Sequence, residues 1–198
     1  MTAGSDDIEE IRMRQLVYYV AAGLDGFIAG PGGDVSDFPV EPATLTALFD
    51  RYPETCPAHA REALGVRAGS ARFDTVIMGA RTHEPALAAG LTSAYPHLRQ
   101  IVVTHRELPP DPTVQTWSGD LGERVAELKS QEGQDIWLCG GSDLAAQLVD
   151  LIDEVQVKVN PVLLGAGTPL LPVRLPLTLE ACEPLPGGVV LMTYRPAR

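Results

Sequence analysis

Cysteine is scarce: Cys56, Cys139 and Cys182 are the only three in 198 residues, and no two of them form a CxxC pair. An odd number at such spacing excludes the disulfide framework of a small secreted domain and fits a reducing, cytoplasmic setting. Long apolar runs are missing too. None approaches the roughly 18 residues of a membrane span, so no membrane partner is expected. The opening stretch MTAGSDDIEEIRMR is too acidic and too poor in apolar side chains for a signal peptide, and residues 1–13 read as a flexible leader ahead of one domain over 14–198. Positive charge is short as well: 15 Lys and Arg against 26 Asp and Glu leave a net charge of −11. A nucleic-acid binder needs a basic face, and here the cations are scattered. The four histidines, His59, His83, His97 and His105, show no HxH or HExxH spacing, so no metal site is expected. No Ser or Cys stands in a GxSxG elbow, and no GxGxxG follows the first strand, where LDGFIAG stands instead.

What is present points to an α/β domain. Hydrophobic residues make up 45% and charged residues 21% of a chain long enough to bury a sizeable core. LVYYVAAG, apolar on both faces, reads as a central strand. Turns and a mobile loop follow over LDGFIAGPGGDVSD, and short helices follow Pro42 and Pro57. DTVIMG and ARTHEPALAAG read as strand and helix, QIVVTH and VQTW as strands, and DLGERVAELKSQ as a helix with Leu121, Val125 and Leu128 inward. IWLC runs into Gly140 and Gly141 and then a helix with Leu144, Leu148 and Leu151 on one face. EVQVKVN alternates polar and apolar side chains, and the tail forms a hairpin around Pro186, Gly187 and Gly188, adding antiparallel strands to an otherwise parallel sheet.

Three strands, VIMG, IVVT and WLCG, end in small or polar residues. In open α/β sheets ligands bind outside the carboxyl ends of the strands, where helix N-termini present unpaired N–H groups. Gly140 and Gly141 lack Cβ, so a pyrophosphate can approach the backbone, and Ser142 or Asp143 can cap the helix that follows. The bland alternative is that Gly-Gly is only a tight turn, and on motif grounds alone it leads. Gly79 with Ala80, Arg81 and Thr82, and Thr104 with His105 and Arg106, repeat the pattern at two further strand ends. Gathered together, Arg81, His105 and Arg106 make a basic patch suited to a 2′-phosphate; taken singly, each is a solvated surface group.

Five segments in this order, LVYYVAAGLDGFIAG, DTVIMGARTHE, QIVVTHREL, DIWLCGGSDLAAQLV and EVQVKVNPVLLGAGTPLL, resemble the dihydrofolate-reductase-like superfamily. The branch they resemble most is the reductase domain of bifunctional riboflavin-biosynthesis deaminase-reductases, from about Met13 to Tyr194. The resemblance implies a three-layer α/β/α fold around a mostly parallel sheet of about eight strands, NADPH as hydride donor, and a homodimer. It places Gly79, Arg81 and Thr82 at the pyrophosphate and adenosine phosphates, with Ala80 where the family commonly has arginine. It places Thr104 and His105 on the adenosine side, next to the cofactor candidate Arg106 of the basic patch, and Gly140, Gly141, Ser142, Asp143 and Leu144 at the pyrophosphate. Ala22 and the loop through Asp25, Phe27 and Ile28 would border the nicotinamide. Phe27 stands where the riboflavin-pathway reductases tend to have a basic residue, and no deaminase domain or zinc motif is present.

The expected activity is hydride transfer from NADPH to a small heterocyclic, imine or carbonyl substrate, similar to 5-amino-6-(5-phosphoribosylamino)uracil reductase. A dihydrofolate reductase and a non-catalytic NADPH- or ligand-binding module on the same fold are the alternatives. Asp25 is the candidate catalytic polar group, although Asp-Gly is foremost a turn. Phe27 and Asp50 are the candidate substrate-side residues, with solvation the commoner fate of an aspartate on an amphipathic helix.

Overall fold

LVYYVAAG forms strand β1, Leu16–Gly23, and its double-sided apolar pattern has the expected consequence: neighbours cover it on both edges and both faces. The computed structural model describes residues 12–197, so the expected leader lies outside the described residues apart from Arg12 and Met13. The other strands are β2 (Phe27–Ala29), β3 (Phe73–Gly79), β4 (Arg99–Val103), β5 (Val114–Trp117), β6 (Asp135–Gly140), β7 (Glu154–Asn160), β8 (Thr168–Pro169), β9 (Leu177–Pro184) and β10 (Val190–Pro196). The helices are α1 (Pro42–Arg51), α2 (Ala58–Arg61), α3 (Ala80–Ala88), α4 (Leu121–Ser130) and α5 (Ser142–Gln147).

Eight strands make one sheet in the order β5-β4-β3-β6-β1-β7-β10-β9. The first six are mutually parallel, while β10 runs antiparallel to both β7 and β9. This is the predicted mostly parallel sheet with its terminal hairpin. One face is covered by α4 and α5, whose Leu121, Val125, Leu128 and Leu144, with Leu148 just beyond α5, pack on Leu16, Tyr18, Ile77, Ile136 and Leu138. The other carries Val17, Tyr19, Phe73, Val76 and Trp137, closed by Tyr52 just beyond α1 and by Leu98. Tyr19 and Tyr52 meet edge to face with ring centroids 5.2 Å apart. Each such fully buried ring or aliphatic contributes roughly 1.5–3 kcal/mol by leaving water.

Two features depart from the sequence reading. The glycine-rich loop after β1 contains β2, which pairs with β8 as a separate antiparallel ribbon, Phe27 opposite Pro169 and Ala29 opposite Thr168. The helix after Gly141 is also shorter than its pattern: α5 ends at Gln147, and Val149–Leu151 continues as a 3-10 turn. No helix among the described residues is long and apolar enough to cross a membrane.

Candidate functional site at the carboxyl ends of the strands

β3 and β6 are neighbours, and their register sets Met78 beside Gly140. The two glycine turns therefore meet. A Cβ added to Gly79 would lie 3.7 Å from the Gly141 nitrogen, and the nearest atom to a Cβ on Gly140 or Gly141 is Thr82 Oγ1, at 3.9 and 3.8 Å. No protein atom fills the space in front of these glycines more closely than van der Waals contact. Gly140 has φ +121°, a conformation that side chains rarely adopt, and its peptide bond to Gly141 is cis. The glycine at 140 is thus required by the backbone itself. Gly141, with φ −87°, has no such need.

The caps differ from expectation. Gly79 and Gly141 are the N-caps of α3 and α5, and neither helix receives a side-chain cap. Ser142 and Asp143, the predicted caps, lie inside the first turn of α5, because the glycine before them already adopts the extended cap conformation. The Ser142 hydroxyl is buried without a hydrogen-bond partner, and Leu144 points into the core. Asp143 instead accepts from Arg81 at 2.6 Å.

The structure gathers Arg81 and Thr82 onto the glycine site, but the basic patch is partly neutralised. Arg81 pairs with Asp143, both side chains 72% exposed, and Arg106 pairs with Glu84 at 2.9 Å. His105 is exposed. Thr104 is buried at the end of β4, where its Oγ1 accepts from the Arg106 amide at 2.9 Å and starts the turn. These pairs link residues 62 and 22 positions apart, so sequence spacing gave no sign of them.

On the other side of β6, Ala22 is buried near the end of β1 and its carbonyl accepts from Asn160 Nδ2 at 3.1 Å. The loop after it is not free to swing as a whole. Leu24 donates to the Val162 carbonyl at 2.8 Å, Leu170 donates to the Gly26 carbonyl at 2.8 Å, and Tyr18 Oη donates to the Leu170 carbonyl at 2.8 Å. Asp25 is part of this fastening. Its Oδ2 accepts from the Gly165 amide at 2.7 Å, a bond that holds its pKa below the ordinary carboxylate value, while Oδ1 is buried without a partner. An aspartate so held is a poor proton donor near neutral pH, and the visible work of Asp25 is to pin two loops. Phe27 and Ile28 are half-buried on β2, Ile28 against the core.

Asp50 is exposed on α1 and lines a cleft of about 260 Å³ with Phe49, Pro53, Leu64 and Arg67, which shares no residue with the glycine site. A larger cavity, about 670 Å³, opens at the opposite, amino ends of the strands, between Arg12, Arg14, Arg72, Asp135, Glu154 and Arg195.

Two groups near the strand ends were not singled out from sequence. Cys139, one residue before the glycines, has its thiol pushed up to about 12 by burial, which nearby Lys158 only partly offsets. Lys158 on β7 sits with its Nζ 4.1 Å from the Tyr19 ring centroid, and burial pulls its pKa down to about 8. The available signal was the run Glu154, Gln156, Lys158, Asn160: polar residues at period two beside a strand that is apolar on both faces.

The RibD C-terminal domain model matches residues 14–191. The chain belongs to that family. Among curated proteins, the uncharacterised Bacillus subtilis protein YyaP is 26% identical over 93% of this chain and 96% of its own length. Two solved structures show the same fold at lower identity. The deaminase/5-amino-6-(5-phosphoribosylamino)uracil reductase of Thermotoga maritima aligns with a TM-score of 0.61 at 17% identity, over 93% of this chain and 57% of that one. The dihydrofolate reductase of Enterococcus faecalis, complexed with NADP(H), aligns with a TM-score of 0.64 at 15% identity, over 93% of this chain and 97% of that one. The predicted dihydrofolate-reductase-like fold is the fold observed.

Proposed function

We propose that this member of the RibD C-terminal domain family is an NADPH-dependent oxidoreductase acting on a small heterocyclic, imine or carbonyl substrate. One observation carries the reading: the Gly79, Gly140 and Gly141 turns meet with no atom closer than ordinary contact to where their Cβ atoms would stand, and the buried Ser142 hydroxyl beside them lacks a partner. A buried hydroxyl without a hydrogen bond costs roughly 1–3 kcal/mol, which a phosphate oxygen accepting from it would relieve. The residues present therefore fit a dinucleotide. Gly79, Gly140, Gly141 and Ser142 would hold the pyrophosphate, Thr82 and Arg81 would lie along the adenosine phosphates, and Thr104, His105 and Arg106 would lie toward the adenosine.

When bound, the nicotinamide supplies the hydride. The protein's own share is to orient and to exclude water. Ala22, fixed through Asn160, and the pinned loop from Asp25 to Ile28 form the wall of that compartment. Phe27 presents an aromatic face rather than a cation, which favours a substrate without the phosphoribosyl group. The long edge strand β9, exposed along nearly its whole length, supports a homodimer, which sedimentation would confirm or refute. Binding of NADPH without oxidation by any member of a carbonyl and imine panel would turn the reading into that of a binding module.

A further inference from the structure

One cation near the strand ends has no counter-charge. Lys158 lies in register with Ala21 of β1 and Leu191 of β10, on the face that also carries Tyr19, Trp137 and Tyr95. Its ammonium rests over the Tyr19 ring, and among the described residues it makes no hydrogen bond or ion pair. Glu154 pairs with Arg72 at the opposite ends of the strands, Glu183 pairs with Arg51, and Asp25 Oδ2 accepts from the Gly165 amide. The polar groups facing Lys158 are neutral. Burial raises the phenols of Tyr19 and Tyr95 and the thiol of Cys139. Tyr95 also stands edge-on to Trp137, ring centroids 5.1 Å apart.

A half-buried ammonium without an anion is a net cost to the fold. A methionine in its place would pack the same stem without that cost. The position makes physical sense if an electron-rich atom arrives from outside. Lys158 interacts electrostatically with Cys139, the residue before Gly140, so that atom would sit on the side of the sheet end where the nicotinamide is expected.

We propose that Lys158 is the substrate-anchoring cation of this site, and that the substrate is a neutral or anionic ring presenting a carbonyl or enolate oxygen to it. The placement beside the cofactor rests on the reductase reading; the charge selection does not. A cationic heterocycle, which needs a carboxylate, is disfavoured here, and Asp50 lines a different cleft. An ammonium hydrogen-bonded to the ring oxygen also draws electron density from the adjoining carbon, the atom a reductase would attack.

The test uses two ring probes on the full chain: barbiturate, an anionic ring of carbonyls, and protonated diaminopyrimidine, a cationic one. Calorimetry compares wild type with Lys158→Met and Lys158→Arg. Barbiturate is expected to bind wild type, to lose about tenfold in affinity or more in Lys158→Met, and to recover in Lys158→Arg, with the cation excluded from wild type. NADPH affinity should stay within about twofold across the three, and Lys158→Met should melt no lower than wild type, which a structural lysine would not allow. Equal barbiturate affinity in Lys158→Met, preference for the cationic ring, or binding of neither ring to wild type overturns the proposal. Failure of wild type to bind NADPH overturns the reductase reading instead, and leaves the barbiturate result to judge Lys158.

Discussion

The two ends of the parallel strands are built on opposite principles. At the amino ends, charges are dense and satisfied. Arg72 bonds Asp135 at 3.0 Å, Glu154 at 2.8 and 3.1 Å and the Gln15 side chain at 3.2 Å. Arg14 pairs with Asp74, and the fully buried Glu54 accepts from the amides of Ala71, Arg72 and Phe73. Burial works against the Arg72 charge, but Glu154, Tyr52 and Asp135 together hold its pKa above the ordinary value. At the carboxyl ends the reverse holds: Ser142 Oγ and Asp25 Oδ1 lack partners, Lys158 lacks an anion, and the glycines present bare backbone. The larger cavity is at the amino end, yet its charges already have their bonds. Tyr19 Oη, His83 Nε2 and Gln156 Oε1 also lack partners, so the contrast between the two ends rests on their charges, paired at one and not at the other.

The comparison can be broken at either end. The largest effect should come from Arg72→Ala, which leaves Glu154 buried without its cation and Asp135 with only the exposed Arg12; a loss of about 3–5 kcal/mol is expected in urea unfolding, with NADPH affinity of the folded fraction unchanged. Next is Gly141→Val. Because Gly141 has an ordinary φ and a Cβ there would meet Thr82 Oγ1 only at an ordinary contact distance of 3.8 Å, Tm should barely move while NADPH affinity falls by about thirtyfold, or roughly 2 kcal/mol. Gly140→Val, at φ +121°, should instead lose stability as well. Equal losses of stability and affinity in Gly141→Val would reduce the glycines to a turn.

Smaller still is a pH effect at Lys158. The group titrates at about 8 in the fold against an ordinary 10.5, so between those values the unfolded chain holds more protons and stability rises with pH. The cost of the buried charge is fully present below pH 8 and is relieved as pH climbs toward 10.5. Relative to Lys158→Met, wild type should therefore gain on the order of 2 kcal/mol across that window, and a constant difference in stability would contradict it. Asp143→Asn should change stability least, by less than about 0.5 kcal/mol, because it removes an exposed pair. It should tighten NADPH modestly by freeing Arg81.

Much of the fold was legible because its strands and helices are long and regular. The double-sided apolar run of β1 and the Leu121, Val125, Leu128 stripe of α4 each have one physical solution. β2 and β8 were not legible, since strands of three and two residues carry no periodicity, and their pairing depends on contacts some 140 residues apart, such as Asp25 with Gly165. The end of α5 was missed because the apolar spacing continues through Val149–Leu151 after the backbone has tightened. At the site, sequence located the glycines and Thr82 but not the ion pairs that occupy Arg81 and Arg106. It also missed Lys158, because a polar residue in an alternating strand reads as solvated until the covering layer is known.

The central claim is that the open strand ends hold a dinucleotide, and nicotinamide fluorescence during NADPH titration tests it most directly. A saturable change with wild type that is lost in Gly141→Val, at unchanged melting temperature, is the predicted result. No change with wild type up to millimolar NADPH would contradict it.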